Sequence, residues 1–167
     1  QYSQLIARRV REQNVYCEVK PCSISPAEIE KIAPIGIILS GGPQSVYESV
    51  SPHVDPALFA LGIPVLGICY GCQLMAYSLG GTVAAATEAT AREYGKTLTE
   101  FDTDCSIFQG LPASSVTWMS HGDYISQVPD GFAVTAKTAV CPTAAMACPE
   151  KKLYGVQFHP EVQHNVE

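Results

Sequence analysis

The run Ile63-Pro64-Val65-Leu66-Gly67-Ile68-Cys69-Tyr70-Gly71 constrains this chain more than any other segment, because a short apolar stretch ends on a cysteine set between two glycines. The branched, uncharged residues before Cys69 read as a buried parallel strand, while Cys72 to Leu79 carries apolar residues at helical spacing. A sharp turn therefore falls at Cys69. Glycines two residues before and two after let the neighbouring backbone pass closely and leave the side chain presented at a strained strand-turn-helix elbow. The helix that follows aims its free N–H groups and positive dipole end at the sulfur, a setting that favours an anion.

A cysteine alone carries no chemistry, since free thiols are among the most buried side chains and this chain has seven. A partner is supplied near the C-terminus, where Tyr154-Gly155-Val156-Gln157-Phe158 reads as a strand running into His159-Pro160-Glu161. Residues i and i+2 of an extended segment share a side, and Pro160 holds His159 extended, so His159 and Glu161 are neighbours. Cys69, His159 and Glu161 thus supply the nucleophile, base and orienting carboxylate of acyl transfer.

The rest of the chain sets the frame. Ser3 to Gln13 is helical, Val15 to Val19 alternates as a strand, and Ser25-Pro26-Ala27-Glu28 is a helix cap with proline at the first helical position. Ile35 to Leu39 is a second apolar strand, followed by the loop Ser40-Gly41-Gly42-Pro43 and a short helix near Ala57 to Leu61. This rhythm predicts an α/β fold with an open, mostly parallel central sheet and flanking helices. From Thr82 onward, short segments at Thr97 to Phe101, Val116 to Met119, Phe132 to Ala136, Ala144 to Ala147 and Leu153 to Phe158 predict a smaller antiparallel or mixed strand region.

At 167 residues and 47% hydrophobic content, the chain suits one domain, residues 1–167, with a substantial core. A net charge of −6 without basic clusters excludes a phosphate-backbone footprint, so no nucleic acid is expected. The apolar runs are strand-length and broken by Gly or Pro, so no membrane is expected either. Cysteines at 17, 22, 69, 72, 105, 141 and 148 form no disulfide framework and fit a reducing, cytoplasmic setting. Cys69-Tyr70-Gly71-Cys72 is formally a C-x-x-C redox motif, but Cys72 reads as a packing residue of the first helical turn. His53, His121 and His164 share no zinc-type spacing with a cysteine pair, so no metal is expected. Asp102 and Asp104 read as a solvated turn, and Arg92-Glu93-Tyr94-Gly95, preceding a strand, as either a mobile lid or a charged turn, with a structural role favoured.

With the elbow, the Ser40-Gly41-Gly42-Pro43 loop and His159-Pro160-Glu161 in this order, the whole chain resembles the triad-type (class I) glutamine amidotransferases, a flavodoxin-like fold. Trp118-Met119-Ser120-His121-Gly122-Asp123, the segment Ser40 to Glu48, Cys141-Pro142 and Gln157 to Val162 resemble the GMP synthetase branch of that family. The resemblance implies hydrolysis of L-glutamine through a glutamyl thioester on Cys69, with His159 as proton shuttle held by Glu161. It implies an oxyanion hole from the backbone N–H groups of Gly42 and Tyr70, and substrate contacts from Gly41, Gln73, Ser120, His121, Gly122 and Asp123.

The ammonia would serve an ATP-pyrophosphatase (synthetase) domain or subunit that aminates XMP to GMP. That domain is not in this sequence, and ATP and magnesium are expected only there, since Pro43 removes a donor from the one glycine-rich loop. Members of the family open with a strand that this sequence does not contain, which predicts a sheet lacking its first strand. The competing readings are the glutaminase of another class I amidotransferase, a redox protein, and a non-catalytic regulatory module.

Overall fold

The computed structural model describes residues 2–87 and 92–163, so His164 lies outside it. Helix α1 (Ser3–Glu12) turns Ile6 and Ala7 inward while Arg8 and Arg11 face water. Helix α2 (Pro26–Ile32) starts on a reciprocal capping box. The Ser25 hydroxyl accepts from the Glu28 N–H at 3.2 Å, and the Glu28 carboxylate accepts from the Ser25 N–H at the same distance. Strand β1 (Ile37–Leu39) precedes a single-turn 3-10 helix (Pro56–Ala60), β2 (Val65–Ile68) and α3 (Tyr70–Ser78). The second half contains β3 (Thr82–Ala85), β4 (Glu93–Phe101), β5 (Ser114–His121), β6 (Asp123–Gln127), β7 (Ala133–Lys137), β8 (Ala145–Cys148) and β9 (Leu153–Val156).

Seven strands form one sheet in the order β1-β2-β9-β8-β7-β4-β5, and β3 pairs with β6 in a separate two-stranded sheet. The pairings β1 to β2 and β2 to β9 are parallel, whereas those linking β9, β8, β7, β4 and β5 are antiparallel. The antiparallel region therefore continues the parallel one rather than standing apart, and the seven-stranded sheet is mixed rather than mostly parallel. Because side chains alternate along a strand, Val65, Met146 and Leu153 join α2 and α3 in one core, while Ile68, Ala145, Ala147 and Val156 join α1 in a second core across the sheet. Helices thus cover both faces. Among the described residues no helix is long and apolar enough to cross a membrane.

The strand expected at Val15 to Val19 does not form: this stretch has no ladder partner, and Tyr16 is 84% exposed. A strand needs a neighbour for its N–H and C=O groups, which local alternation cannot supply. The β3–β6 pair was not legible, since Thr82–Ala85 and Asp123–Gln127 lie about forty residues apart and neither is strongly apolar. Glu93 is no lead-in to a strand but the first residue of β4, and it is buried. Asp102 and Asp104 do form a turn, with the Asp102 carboxylate accepting from the Asp104 N–H at 3.0 Å.

Candidate active site

The elbow at Cys69 joins β2 to α3 with backbone angles φ 52° and ψ −111°, a region that non-glycine residues rarely occupy. Its flanking glycines are required by close approach. A Cβ on Gly67 would stand 2.6 Å from the Gly71 carbonyl oxygen, and one on Gly71 would run into the Leu39 carbonyl of β1. Three backbone bonds fix the strained residue: its N–H donates to the Val156 carbonyl at 2.8 Å, and its own carbonyl accepts from the Cys72 N–H at 3.0 Å and the Gln73 N–H at 3.1 Å. The elbow is thereby tied to β9, the strand that leads to His159.

His159 is wholly buried, and its backbone N–H donates to the Trp118 carbonyl at 2.9 Å. Its Nδ1 lies 2.7 Å from Glu161 Oε1, so the carboxylate accepts the Nδ1–H and leaves Nε2 for the sulfur. Burial works against the imidazolium, but hydrogen bonds and charge from Cys69 and then Glu161 outweigh it and raise the His159 pKa to about 9. The Glu161 carbonyl in turn accepts from Arg9 Nε at 3.0 Å, which ties this end of the chain to α1. Gly41 presses against the same pair, since a Cβ there would stand 2.9 Å from His159 Cε1 and 3.3 Å from Cys69 Cβ.

Two further groups reach the sulfur. The Ser120 carbonyl lies 3.6 Å away, and Gln157 Nε2 donates to Sγ at 3.5 Å. Gln73 Nε2 donates to the Asp123 carbonyl at 3.0 Å and to Gln157 Oε1 at 3.1 Å. Both nitrogens of His121 are also engaged, Nδ1 with the Asp123 carbonyl at 2.9 Å and Nε2 with Glu93 Oε1 at 3.2 Å. Gln73 and His121 are accordingly turned into the protein rather than outward, at 3% and 4% exposure. Gly42 lies beside the Tyr70 ring, and Gly122 beside Tyr94 and Arg92.

The structure brings Cys69, His159, Glu161 and Gly41 together, whereas sequence reasoning missed Gln157, the Ser120 carbonyl as a contact, and Glu93. Gln157 was within reach of the same rule that paired His159 with Glu161, because it sits two residues before His159 in an extended run. Glu93 gave no such signal, since it lies 28 residues from His121 in the chain.

Glu93, His121 and Cys141 also form a buried group whose ligand-type atoms lie within 4.8 Å of one another, a grouping that motif spacing does not reveal. Each member is held internally. Glu93 Oε2 accepts from Thr138 Oγ1 at 2.8 Å, and the Cys141 thiol, pushed up to about 12 by burial and by the Glu93 charge, donates to the Thr143 carbonyl at 3.3 Å. The donor set reads as a brace behind the Ser120–Asp123 turn. Cys72 is fully buried, with its thiol pushed up by desolvation, and a Cβ on Gly155 would stand 2.5 Å from its sulfur. Cys72 thus sits in the core as a packing residue of the first turn of α3.

Comparison with known proteins gives the family and the fold. The family model for glutamine amidotransferase class-I matches residues 1–167. The chain is 56% identical over 167 residues to the "GMP synthase [glutamine-hydrolyzing]" of Clostridium botulinum (strain Alaska E43 / Type E3), covering all of this chain and 32% of that protein. It is 57% identical over 164 residues to the protein of the same name from Caldanaerobacter subterraneus subsp. tengcongensis, covering 98% of this chain and 31% of that protein. The chain thus spans about a third of the length of the curated relatives it matches. Among solved structures, a GMP synthase subunit from Thermoplasma acidophilum superposes with a TM-score of 0.83 at 30% identity, covering 99% of this chain and 82% of that one. A glutamine amidotransferase from Thermotoga maritima shares the fold at TM-score 0.72 and 24% identity, covering 95% of this chain and 70% of that one. This chain belongs to the class-I glutamine amidotransferases.

Proposed function

We propose that the chain hydrolyses L-glutamine to glutamate and ammonia, with Cys69 as nucleophile, and that the ammonia serves amination of XMP to GMP. The observation that carries this reading is the convergence of Cys69, His159 and Glu161 beneath the Gly41 loop, with the sulfur raising the His159 pKa. The imidazole takes the thiol's proton, and the sulfur attacks the carboxamide carbon as an anion. The negative charge passes to the amide oxygen, where the backbone N–H groups of Gly42 and Tyr70 are assigned as its donors; losing one such donor costs about 3 kcal/mol of barrier.

Collapse of the tetrahedral species breaks the C–N bond as His159 gives its proton to the departing nitrogen, leaving ammonia and a thioester. Acylation removes the sulfur's hydrogen bond and its charge, both of which raise the His159 pKa. The imidazole can then take a proton from water, and hydroxide attacks the thioester to release glutamate. Glu161 supports both steps by fixing the Nδ1–H and the ring's orientation. Gly41, Ser120, Gly122 and Asp123 are assigned to the ends of glutamine, and Gln73 and His121 to holding the turn that presents them.

The partner in this reading is a synthetase domain or subunit, where ATP and magnesium belong. Its support is the identity to GMP synthases, which are about three times longer than this chain. Seven free cysteines support a cytoplasmic setting. The test is glutamate release from glutamine by the protein, alone and with a GMP synthetase domain added, against Cys69→Ala as control. Release that depends on Cys69 supports the reading, and release unchanged in Cys69→Ala overturns it.

A further inference from the structure

Gln157 is wholly buried, and its side-chain amide has a fixed direction. The Asp123 backbone carbonyl only accepts, so the Gln73 group 3.0 Å from it is the NH₂ end. The same nitrogen faces Gln157 at 3.1 Å and presents its second hydrogen there, so the Gln157 atom that meets it is the oxygen. The Gln157 nitrogen is left pointing at the Cys69 sulfur, 3.5 Å away. A relay of two amides, anchored on a backbone carbonyl, thus aims an N–H at the reacting atom.

The sulfur's surroundings differ in what they favour. The Ser120 carbonyl accepts from a thiol, whereas His159 and Gln157 donate to an anion. The titratable groups facing the sulfur among the described residues are His159, with Glu161 behind it, and Cys72 one turn along α3. Gln157 is the one uncharged donor side chain among these contacts, and its effect does not depend on pH.

We propose that Gln157 is a further catalytic residue, donating its side-chain N–H to the Cys69 sulfur to stabilise the anion and hold it in line, and that Gln73 is a positioning residue that fixes the direction of that amide. This rests on the reading of Cys69 as the nucleophile. A hydrogen bond to a charged acceptor is worth enough that losing it slows anion-dependent chemistry about tenfold or more.

The test is the pH profile of Cys69 alkylation by iodoacetamide, read at the Cys69 peptide by mass spectrometry, with thermal melting as a check on folding. Gln157→Leu keeps the volume and removes the donor; at pH 7 its Cys69 is expected to alkylate about tenfold more slowly, with the profile displaced about one unit to the alkaline side. Gln157→Glu still accepts from Gln73 but sets a carboxylate against the sulfur, and its displacement is expected to be larger. Gln73→Leu frees the amide to turn and is expected to give a smaller shift in the same sense.

In the unaltered protein, the Gln157 side-chain amide proton resonance is expected to move with the pH midpoint of alkylation, a measurement that needs no variant to fold. A folded Gln157→Leu protein whose profile superposes on the wild type, or an amide resonance that stays still as Cys69 ionises, overturns the proposal. Glutaminase activity surviving in Cys69→Ala would instead remove the nucleophile reading, so the two failures are separable.

Discussion

His159 Nδ1 and Glu161 Oε1 stand 2.7 Å apart in a place where both side chains are sealed from water, although only Pro160 separates them in the chain. The carboxylate fixes one tautomer and one ring orientation. Glu161→Gln keeps the shape but loses the charge and sets an amide against the ring. The expected result is a fall in the glutaminase kcat of about 10²-fold or more with KM little changed, measured by glutamate release. Glu161→Ala also leaves the Nδ1–H buried and unpaired, costing about 1–3 kcal/mol in denaturant unfolding.

The raised His159 pKa gives a pH dependence with a definite sign. The value rises from 6.5 to about 9 on folding, so the stabilisation is complete below about 6.5 and is lost as pH rises through 9. The difference in melting temperature between the wild type and Cys69→Ala is expected to shrink between pH 6.5 and 9.5. In Cys69→Ala the imidazole loses its chief support, and its titration, followed by NMR of the ring protons, is expected to move to lower pH.

Gly67 and Gly71 hold the elbow open because backbone atoms occupy the space a side chain would need. Gly71→Ala drives a methyl into the Leu39 carbonyl, and Gly67→Ala drives one against Gly71. Neither obstacle is a flexible side-chain tip that can swing aside. Each substitution is expected to cost about 1–3 kcal/mol or more in urea unfolding and to abolish Cys69 alkylation at neutral pH before the fold is lost.

Cys72 separates the acyl-transfer reading from the redox one. Cys72→Ala is expected to keep glutaminase activity within a fewfold of wild type and to lose about 1 kcal/mol of stability through the small cavity left beside Gly155. A loss of activity as deep as that of Cys69→Ala would give Cys72 a chemical role that its burial argues against.

Glu93 braces the turn behind the nucleophile. Glu93→Ala removes the carboxylate that meets His121 Nε2 and accepts from the half-buried Thr138 hydroxyl, at a cost of about 1–3 kcal/mol in unfolding. Glutamine KM is expected to rise more than kcat falls, since the Ser120–Asp123 turn loosens while the triad stays intact.

The elbow, the cap at Ser25 and the His159–Glu161 pair were legible because each depends on residues within a few positions of one another. The flanking helices followed from the alternation of strand and helix along the chain. What stayed hidden depends on partners far along the chain: β3 finds β6 only after some forty residues, and His121 finds Glu93 across the β4–β5 ladder. Local pattern also gave a strand at Val15 to Val19 that no neighbouring strand completes. At the site, the triad residues announced themselves by type, but the orientation of Gln73 and His121, turned inward by hydrogen bonds to one backbone carbonyl, is a tertiary fact.

The most direct measurement is covalent trapping of the protein with a glutamine-like electrophile, followed by peptide mapping, run beside glutamate release from glutamine. Modification at Cys69 alone, slowed in His159→Ala and accompanied by loss of glutamate release, is the predicted result. Modification at another cysteine, or glutamate release that persists once Cys69 is blocked, would contradict the account.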